Sequence, residues 1–161
     1  GADNQPAGLD TLVTGGRVID NLGATLTYPD LVKWACDLMA DAKLNQLGGI
    51  NVAGVPFMLA DLLATSFGDG LTQYDVAKKV VPNLMFSNQV STVTNDSATM
   101  YLGATSGHAF VPMWGNPEML VDPYSESKTG KLALTVFSFT DVLIQRLGTH
   151  FTKVTNIAKG T

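Results

Sequence analysis

Apolar residues recur every three or four positions between residues 27 and 44, which is the period of an α-helix with one buried face. The members of this stripe are Leu31, Trp34, Ala35, Leu38, Met39 and Ala42. Thr27 precedes the stripe as a helix-capping residue. Asp30 lies three residues after Thr27, at the position of a shortened capping box. We expect the glycine pair Gly48-Gly49 to end this element.

Two further helices are expected before residue 82. The first covers residues 57–67, and its apolar side comprises Phe57, Ala60, Leu63, Ala64 and Phe67. The second covers residues 73–80, where Thr72 and Asp75 repeat the capping pattern and Pro82 lies just beyond the end.

One short strand is predicted early in the chain, at residues 17–19. After Pro82 the pattern changes from helices to short β-strands. The candidate strands cover residues 84–90, 98–102, 118–121, 131–139 and 142–147. Apolar residues occupy both faces of the strand at 131–139, so we expect both faces to be covered. Because helices come first and strands last, the predicted fold class is α+β, a mixed sheet flanked by helices.

Composition narrows the class of protein. The chain has 161 residues, the size of one domain, and only 15% of them are charged, against about 25% in average proteins. We interpret this low charge as a surface partly covered by partner subunits. The net charge of −4 argues against a basic nucleic-acid binder. One cysteine, Cys36, excludes a disulfide framework, and no apolar run reaches the ~20 residues of a membrane helix.

The residues that carry most enzyme chemistry form no recognised motif. Neither His108 nor His150 has a His or Cys partner at metal-ligand spacing, so no metal site is predicted. Ser106 stands near His108, but the G-x-S-x-G motif is missing, and Cys36 beside an apolar stripe favours packing. We therefore predict no catalytic residues and no cofactor, which favours a structural or binding protein.

The second half of the chain carries an ordered set of short motifs. A Trp114-Gly115 step leads to an apolar strand and the turn Val121-Asp122-Pro123-Tyr124-Ser125; Gly130, a second apolar strand, Asp141-Val142 and Phe151 follow. In this order and spacing, residues 97–157 resemble the C-terminal part of the tailed-bacteriophage major capsid protein family. The segment Gln5-Pro6-Ala7-Gly8-Leu9 resembles the entry to that family's axial domain, and residues 23–31 resemble the helix start that follows it.

The resemblance implies a capsid-type axial domain over residues 1–161, with C-terminal peripheral-domain strands at about 118–157. It implies a structural subunit, or a fragment of one, of an icosahedral phage or prophage head shell that self-assembles around packaged DNA. The family's N-terminal arm and spine helix would precede Gly1, which indicates a piece of a larger protein. An encapsulin-type cargo shell shares this fold and stays an alternative.

The implied partners are copies of the chain itself, in pentamers and hexamers, with weak or indirect contact to packaged DNA and no membrane. The implied location is the virion, after synthesis in the cytoplasm of a bacterial host. The expected subunit-interface residues are His108, Phe110, Met113, Trp114 and Tyr124. For Trp114 and Tyr124, packing in the core of the chain or anchoring of a turn is an equally weighted interpretation.

A second interpretation comes from another class of protein. It is a small α+β hydrolase or ligand-binding domain that uses the loop at Ser106–His108. A shell subunit predicts an exposed apolar patch, whereas an enzyme predicts a concave pocket with a perturbed titratable group beside Ser106.

Overall fold

The computed structural model describes residues 13, 17–91, 93–106, 109–122, 133–141 and 143–160. The chain divides into two compact units. The sheet unit comprises Gly8–His108 and Gln145–Thr161, and the ribbon unit comprises Gly1–Ala7 and Ala109–Ile144. Residues 118–157, expected to hold the peripheral strands, contribute to both units.

The helices of the sheet unit are α1 (Tyr28–Asp41), α2 (Pro56–Ala64), α3 (Gln73–Val80) and the short α4 (Leu147–His150), with a 3₁₀ turn at Leu47–Gly49. Its strands are β1 (Val18–Asp20), β2 (Asn51–Gly54), β3 (Asn83–Phe86), β4 (Ser97–Gly103) and β9 (Phe151–Ala158). The ribbon unit contains β5 (Ala109–Phe110), β6 (Met113–Asp122), β7 (Ala133–Thr140) and β8 (Leu143–Ile144).

The start of α1 is confirmed and its predicted end is wrong. The Thr27 hydroxyl accepts a hydrogen bond from the Asp30 backbone N–H at 3.4 Å. At the other end, the Leu44 and Lys43 N–H groups bond the carbonyls of Met39 and Ala40, the pattern of a Schellman cap. Lys43 takes the left-handed conformation there, with φ of 54°. Because a lysine stands where this cap usually has glycine, no sequence signal predicts the cap. Gly48-Gly49 lie in the following 3₁₀ turn.

The predicted apolar side of α2 is not its buried side. Met58 and Leu62 are fully buried, whereas Leu63 and Phe67 are exposed. Since α2 is apolar around most of its circumference, periodicity could not select the face that packs. By contrast, α3 has the predicted bounds, and Thr72 and Asp75 form a complete capping box.

Five strands form one mixed sheet in the order β1-β9-β4-β2-β3. The β1–β9 and β2–β3 pairs are parallel, and β9–β4 and β4–β2 are antiparallel. The expected order of helices first and strands last is wrong, because β1 and β2 precede helices with which they share the core. Strands β2 and β9 were not predicted: β2 is short and ends in glycine, and β9 contains Asn156 at a φ of 56°.

The hydrophobic core lies between this sheet and helices α1, α2 and α3. Its fully buried members include Leu31 and Leu38 of α1, Leu62 of α2, and Met100 and Leu102 of β4. The stripe predicted for α1 is confirmed, since only Met39 among its members is not classed as buried. The sheet unit therefore holds its own core.

Candidate assembly surface

The ribbon unit has the opposite distribution of apolar residues. Strands β6 and β7 pair with each other as a two-stranded antiparallel ribbon, and β5 pairs with β8. Within the described ranges 109–122, 133–141 and 143–144, none of the side chains that can be assessed is buried. A two-stranded ribbon is at best marginally stable in water unless a further layer covers it. The described side chains of this ribbon are therefore exposed where a stable ribbon needs a further layer.

Strand register divides the ribbon into two faces. Met119 lies opposite Val136 and Val121 opposite Leu134, and residues directly opposite in an antiparallel pair share a face. These four residues form what we call the apolar ribbon face; Val136 is 67% exposed and Leu134 is 57% exposed. These four side chains are apolar, and by strand alternation the hydroxyl of Ser138 lies on the same side of β7.

The other side, the mixed ribbon face, alternates charge with apolar surface. Its members are Glu118, Leu120, Asp122, Ala133, Thr135 and Phe137. Among described residues, the ribbon unit has three carboxylates, at Glu118, Asp122 and Asp141, and no Lys, Arg or His. Two surfaces of different chemistry thus lie back to back on one pair of strands.

A bulge interrupts β6 between Trp114 and Glu118, where the register with β7 shifts. Gly115 has a φ of 82°, a conformation that suits glycine, and nothing lies within 4 Å of the position a Cβ would take. Pro117 supplies no backbone N–H, so it fits the interrupted part of the ladder. The sequence signal Gly115-Asn116-Pro117, interpreted as a turn, therefore marks a bulge within one strand.

The predicted interface residues fall into two groups. Phe110, Met113 and Trp114 are exposed residues of the ribbon unit. Trp114 is 60% exposed, so of its two interpretations, packing within the core of this chain is contradicted. His108 and Tyr124 lie outside the described residues; His108 is also the histidine of the Ser106–His108 loop. Use of these residues at an interface stays a prediction.

Sequence reasoning missed the apolar ribbon face. The alternation of Leu134 and Val136 was visible, but apolar residues on both faces of that strand indicated burial. The signal that could have found the face is the combination of this strand with the turn at 122–125. Together they predict a hairpin, and one hairpin cannot cover itself.

Two cavities of the sheet unit are lined by described residues, and each contains a side-chain hydrogen bond. In one, of about 270 Å³, the Asp61 carboxylate accepts hydrogen bonds from the Gly160 N–H at 3.1 and 3.2 Å. In the other, of about 600 Å³, His150 Nδ1 lies 2.7 Å from the Thr149 hydroxyl. At the C-terminal end of α1, Arg17 pairs with Asp41 at 2.5 Å and donates to the Gly148 carbonyl.

Neither cavity is lined by Ser106. Within the described ranges, no three His, Cys, Asp or Glu side chains are placed to hold a metal ion together. In the same ranges, none of the helices has the length and apolar character needed to cross a bilayer.

Comparison with known proteins shows similarity to solved structures but not to any sequence family. No protein-family model matches the chain, and a search of curated proteins finds no relative. The chain is similar to the virus-like particle of Pyrococcus furiosus, with a TM-score of 0.58, 12% identity, and coverage of 91% of this chain and 59% of that one. It is also similar to the holo-SrpI encapsulin complex of Synechococcus elongatus PCC 7942, with a TM-score of 0.60, 12% identity, and coverage of 96% and 57%.

These neighbours confirm the predicted α+β fold, which is the capsid-like fold of shell proteins. At 12% identity the likeness shows the fold alone. The neighbours are an encapsulin and a virus-like particle, so membership of the tailed-phage family itself stays a prediction. The chain spans less than two thirds of the length of either neighbour.

Proposed function

We propose that this chain is a self-associating structural subunit, or a piece of one, of a capsid-like shell, with no enzymatic role. The observation that carries the proposal is the ribbon unit, whose apolar side chains are exposed although the same chain builds a complete core elsewhere. Surfaces of this kind mark interaction sites. The fold neighbours, which are shell proteins, support the same conclusion.

Within that class we propose a bacteriophage head shell, in which copies meet as pentamers and hexamers around packaged DNA and the mature location is the virion. The order of motifs over residues 97–157 supports it. We assign the five-stranded sheet to the axial domain and the β6–β7 ribbon to the peripheral strands. Many modest contacts per copy, repeated around a closed ring, add up to a stable assembly.

An encapsulin-type cargo shell is the second candidate, favoured by the Synechococcus neighbour. The contents of purified particles separate the two: a phage head holds DNA and an encapsulin holds protein cargo. A nucleic-acid absorbance signature and nuclease-protected DNA would favour the head shell, and an enclosed protein identified by mass spectrometry would favour the cargo shell.

The test of the shell proposal is the association state of the purified protein. We expect light scattering to give a mass that rises above the 17.0 kDa monomer with concentration, and electron microscopy of the parent protein to show uniform particles. Trp114→Ser should weaken association about tenfold, since exposed tryptophans are frequent interface anchors.

Ser106→Ala is the matched control, because Ser106 is exposed, small and polar and belongs to the other compact unit. It should leave association unchanged. A protein that stays monomeric at every concentration, together with a parent that forms no particles, would contradict the proposal. Hydrolytic activity that Ser106→Ala abolishes would instead support the enzyme interpretation.

A further inference from the structure

We infer that the cavity between the C-terminal end of α1 and α4 binds an anion of the phosphate class, held by the side chains of Lys43 and Arg146. The cavity has a volume of about 600 Å³, within the usual range of small-molecule sites. Lys43, Arg146, Thr149 and His150 line it, and all four belong to the sheet unit. The inference lies outside the ribbon unit and does not rest on the proposed function.

The charged groups around this cavity leave an excess of positive charge. Asp41, the carboxylate among the described residues that line it, is already paired with Arg17 at 2.5 Å. Within the described part of the chain, neither the Lys43 ammonium nor the Arg146 guanidinium has an ion-pair or hydrogen-bond partner. Two positive charges at one cavity therefore remain for an anion.

Both cations stand on backbone that side chains disfavour. Lys43 and Arg146 each have a φ of 54°, in the left-handed region that glycine adopts more easily. Backbone hydrogen bonds hold them there: the Lys43 N–H donates to the Ala40 carbonyl at 3.2 Å, and the Arg146 carbonyl accepts from the His150 N–H at 3.0 Å. Residues held in such conformations are concentrated at binding sites, and a backbone fixed in advance lowers the cost of ordering the site when a ligand arrives.

The negative end of α1 does not by itself account for Lys43. A basic residue near the end of a helix often bonds the last carbonyls. Here the carbonyls of residues 38–40 already accept backbone N–H groups of residues 42–44. Because these carbonyls are satisfied within the backbone, the Lys43 ammonium is available to a ligand.

Phosphate is the anion that this pair of cations suits best. The planar guanidinium of Arg146 matches two oxygens of a phosphate or a carboxylate, and Lys43 adds a second positive charge. A phosphate monoester carries about two negative charges at pH 7, whereas a carboxylate carries one. The net charge of −4 on the chain opposes the approach of long nucleic acid, which favours a small phosphorylated molecule.

Titration of the full chain with inorganic phosphate, followed by NMR at constant pH and ionic strength, tests the inference. We expect saturable shifts of the amide signals of Lys43, Thr149 and His150. The signal of Lys33, which is exposed on α1 and does not line the cavity, should stay unchanged. Acetate under the same conditions should bind at least about fivefold more weakly. Absence of saturable shifts, or equal binding of acetate, would overturn the inference.

Charge-removing variants locate the binding groups. Arg146→Gln and Lys43→Gln should each weaken phosphate binding at least about fivefold, and the control Lys33→Gln, which removes the same charge from the exposed side of α1, less than about twofold. If Arg146→Gln fails to fold, Arg146→Gly replaces it, since glycine takes the left-handed conformation without strain. An equal loss in Lys33→Gln would show a general charge effect and overturn the site.

Asp10 is the one acidic side chain of the sheet unit outside the described ranges, so Asp10→Asn completes the series. Phosphate binding that appears only in Asp10→Asn would show that this carboxylate occupies the cavity, and would overturn the inference. A thymidine oligonucleotide distinguishes the sources of the phosphate. Weaker binding than that of inorganic phosphate at the same signals would support a small ligand, and stronger binding would assign the phosphate to nucleic acid instead. Neither result bears on the shell proposal, which is tested by association.

Discussion

Leu22 shows how a few polar groups hold a residue in a conformation that it disfavours. Its φ is 53°, a left-handed conformation that costs a leucine about 1–2 kcal/mol, and its side chain is 88% exposed. The Asp20 carboxylate accepts hydrogen bonds from the Leu22 N–H and from the Asn156 amide, each at 2.9 Å. Asp20 thus ties the turn after β1 to strand β9.

These hydrogen bonds make the turn sensitive to acid. The backbone N–H of Leu22 and then the Asn156 amide lower the pKa of Asp20 below its ordinary value of 3.8. A carboxyl whose pKa is lowered on folding contributes stability above its unfolded pKa, and this is lost as the pH falls through the folded pKa. We expect Asp20→Asn to lower the melting temperature slightly at pH 7, with a difference from the unsubstituted protein that shrinks below about pH 4.

Asp37→Asn on the exposed surface of α1 is the control for this measurement. Its melting-temperature difference from the unsubstituted protein should stay smaller at pH 7 than that of Asp20→Asn. A difference for Asp20→Asn that grows on acidification would contradict the role of this carboxylate.

At the scale of elements, the antiparallel pair of β4 and β9 joins distant parts of the chain. Gly103 pairs with Phe151, and the Phe151 ring fills the space beside it. A Cβ on Gly103 would lie 2.6 Å from Phe151 Cε1, closer than real contacts allow. The absence of a side chain at position 103 is therefore a packing requirement of this strand pair.

Gly103→Ala should lower the free energy of unfolding by about 1–3 kcal/mol, as overpacking of a filled site does. Urea denaturation measures the change. In Gly148→Ala, the added Cβ meets nothing within 4 Å, so this control should stay close to the unsubstituted protein. Equal losses in both variants would show that the Phe151 contact is not the cause.

The elements also differ in how well local signals predict them. Helix α3 has its predicted bounds because Thr72 and Asp75 form its capping box within four residues. Local signals could not predict the buried face of α2, because an almost wholly apolar helix can pack against the sheet with any of its sides. Strand β9 was missed for a related reason: it becomes a strand by pairing with β1 and β4, which are distant in sequence.

At the scale of the whole molecule, the core residues all belong to the sheet unit, and the last strand of the chain completes its sheet. The segment 109–144 interrupts this unit in sequence, and none of its described residues belongs to the core. Gly103 and Phe151 lie on neighbouring strands, so a short connection can join the flanks of that segment.

We expect the sheet unit to fold when residues 109–144 are replaced by a short Gly/Ser linker. Circular dichroism should show a cooperative thermal transition within several degrees of that of the intact protein. The deletion should also abolish association. Loss of the thermal transition would contradict the independence of this unit. As a control, deletion of residues 151–161 should abolish folding, because it removes a central strand.

The sequence by itself determined the α+β class, the amphipathic face of α1 and both helix caps at Thr27 and Thr72, because each of these depends on residues within a few positions of one another. Only the tertiary structure decided the order of strands in the sheet, the buried side of α2 and the exposure of the apolar ribbon face. The physical reason is that burial is a property of pairs of elements: Leu134 and Val136 have the sequence of a buried strand, and only the tertiary structure shows that their side chains are exposed.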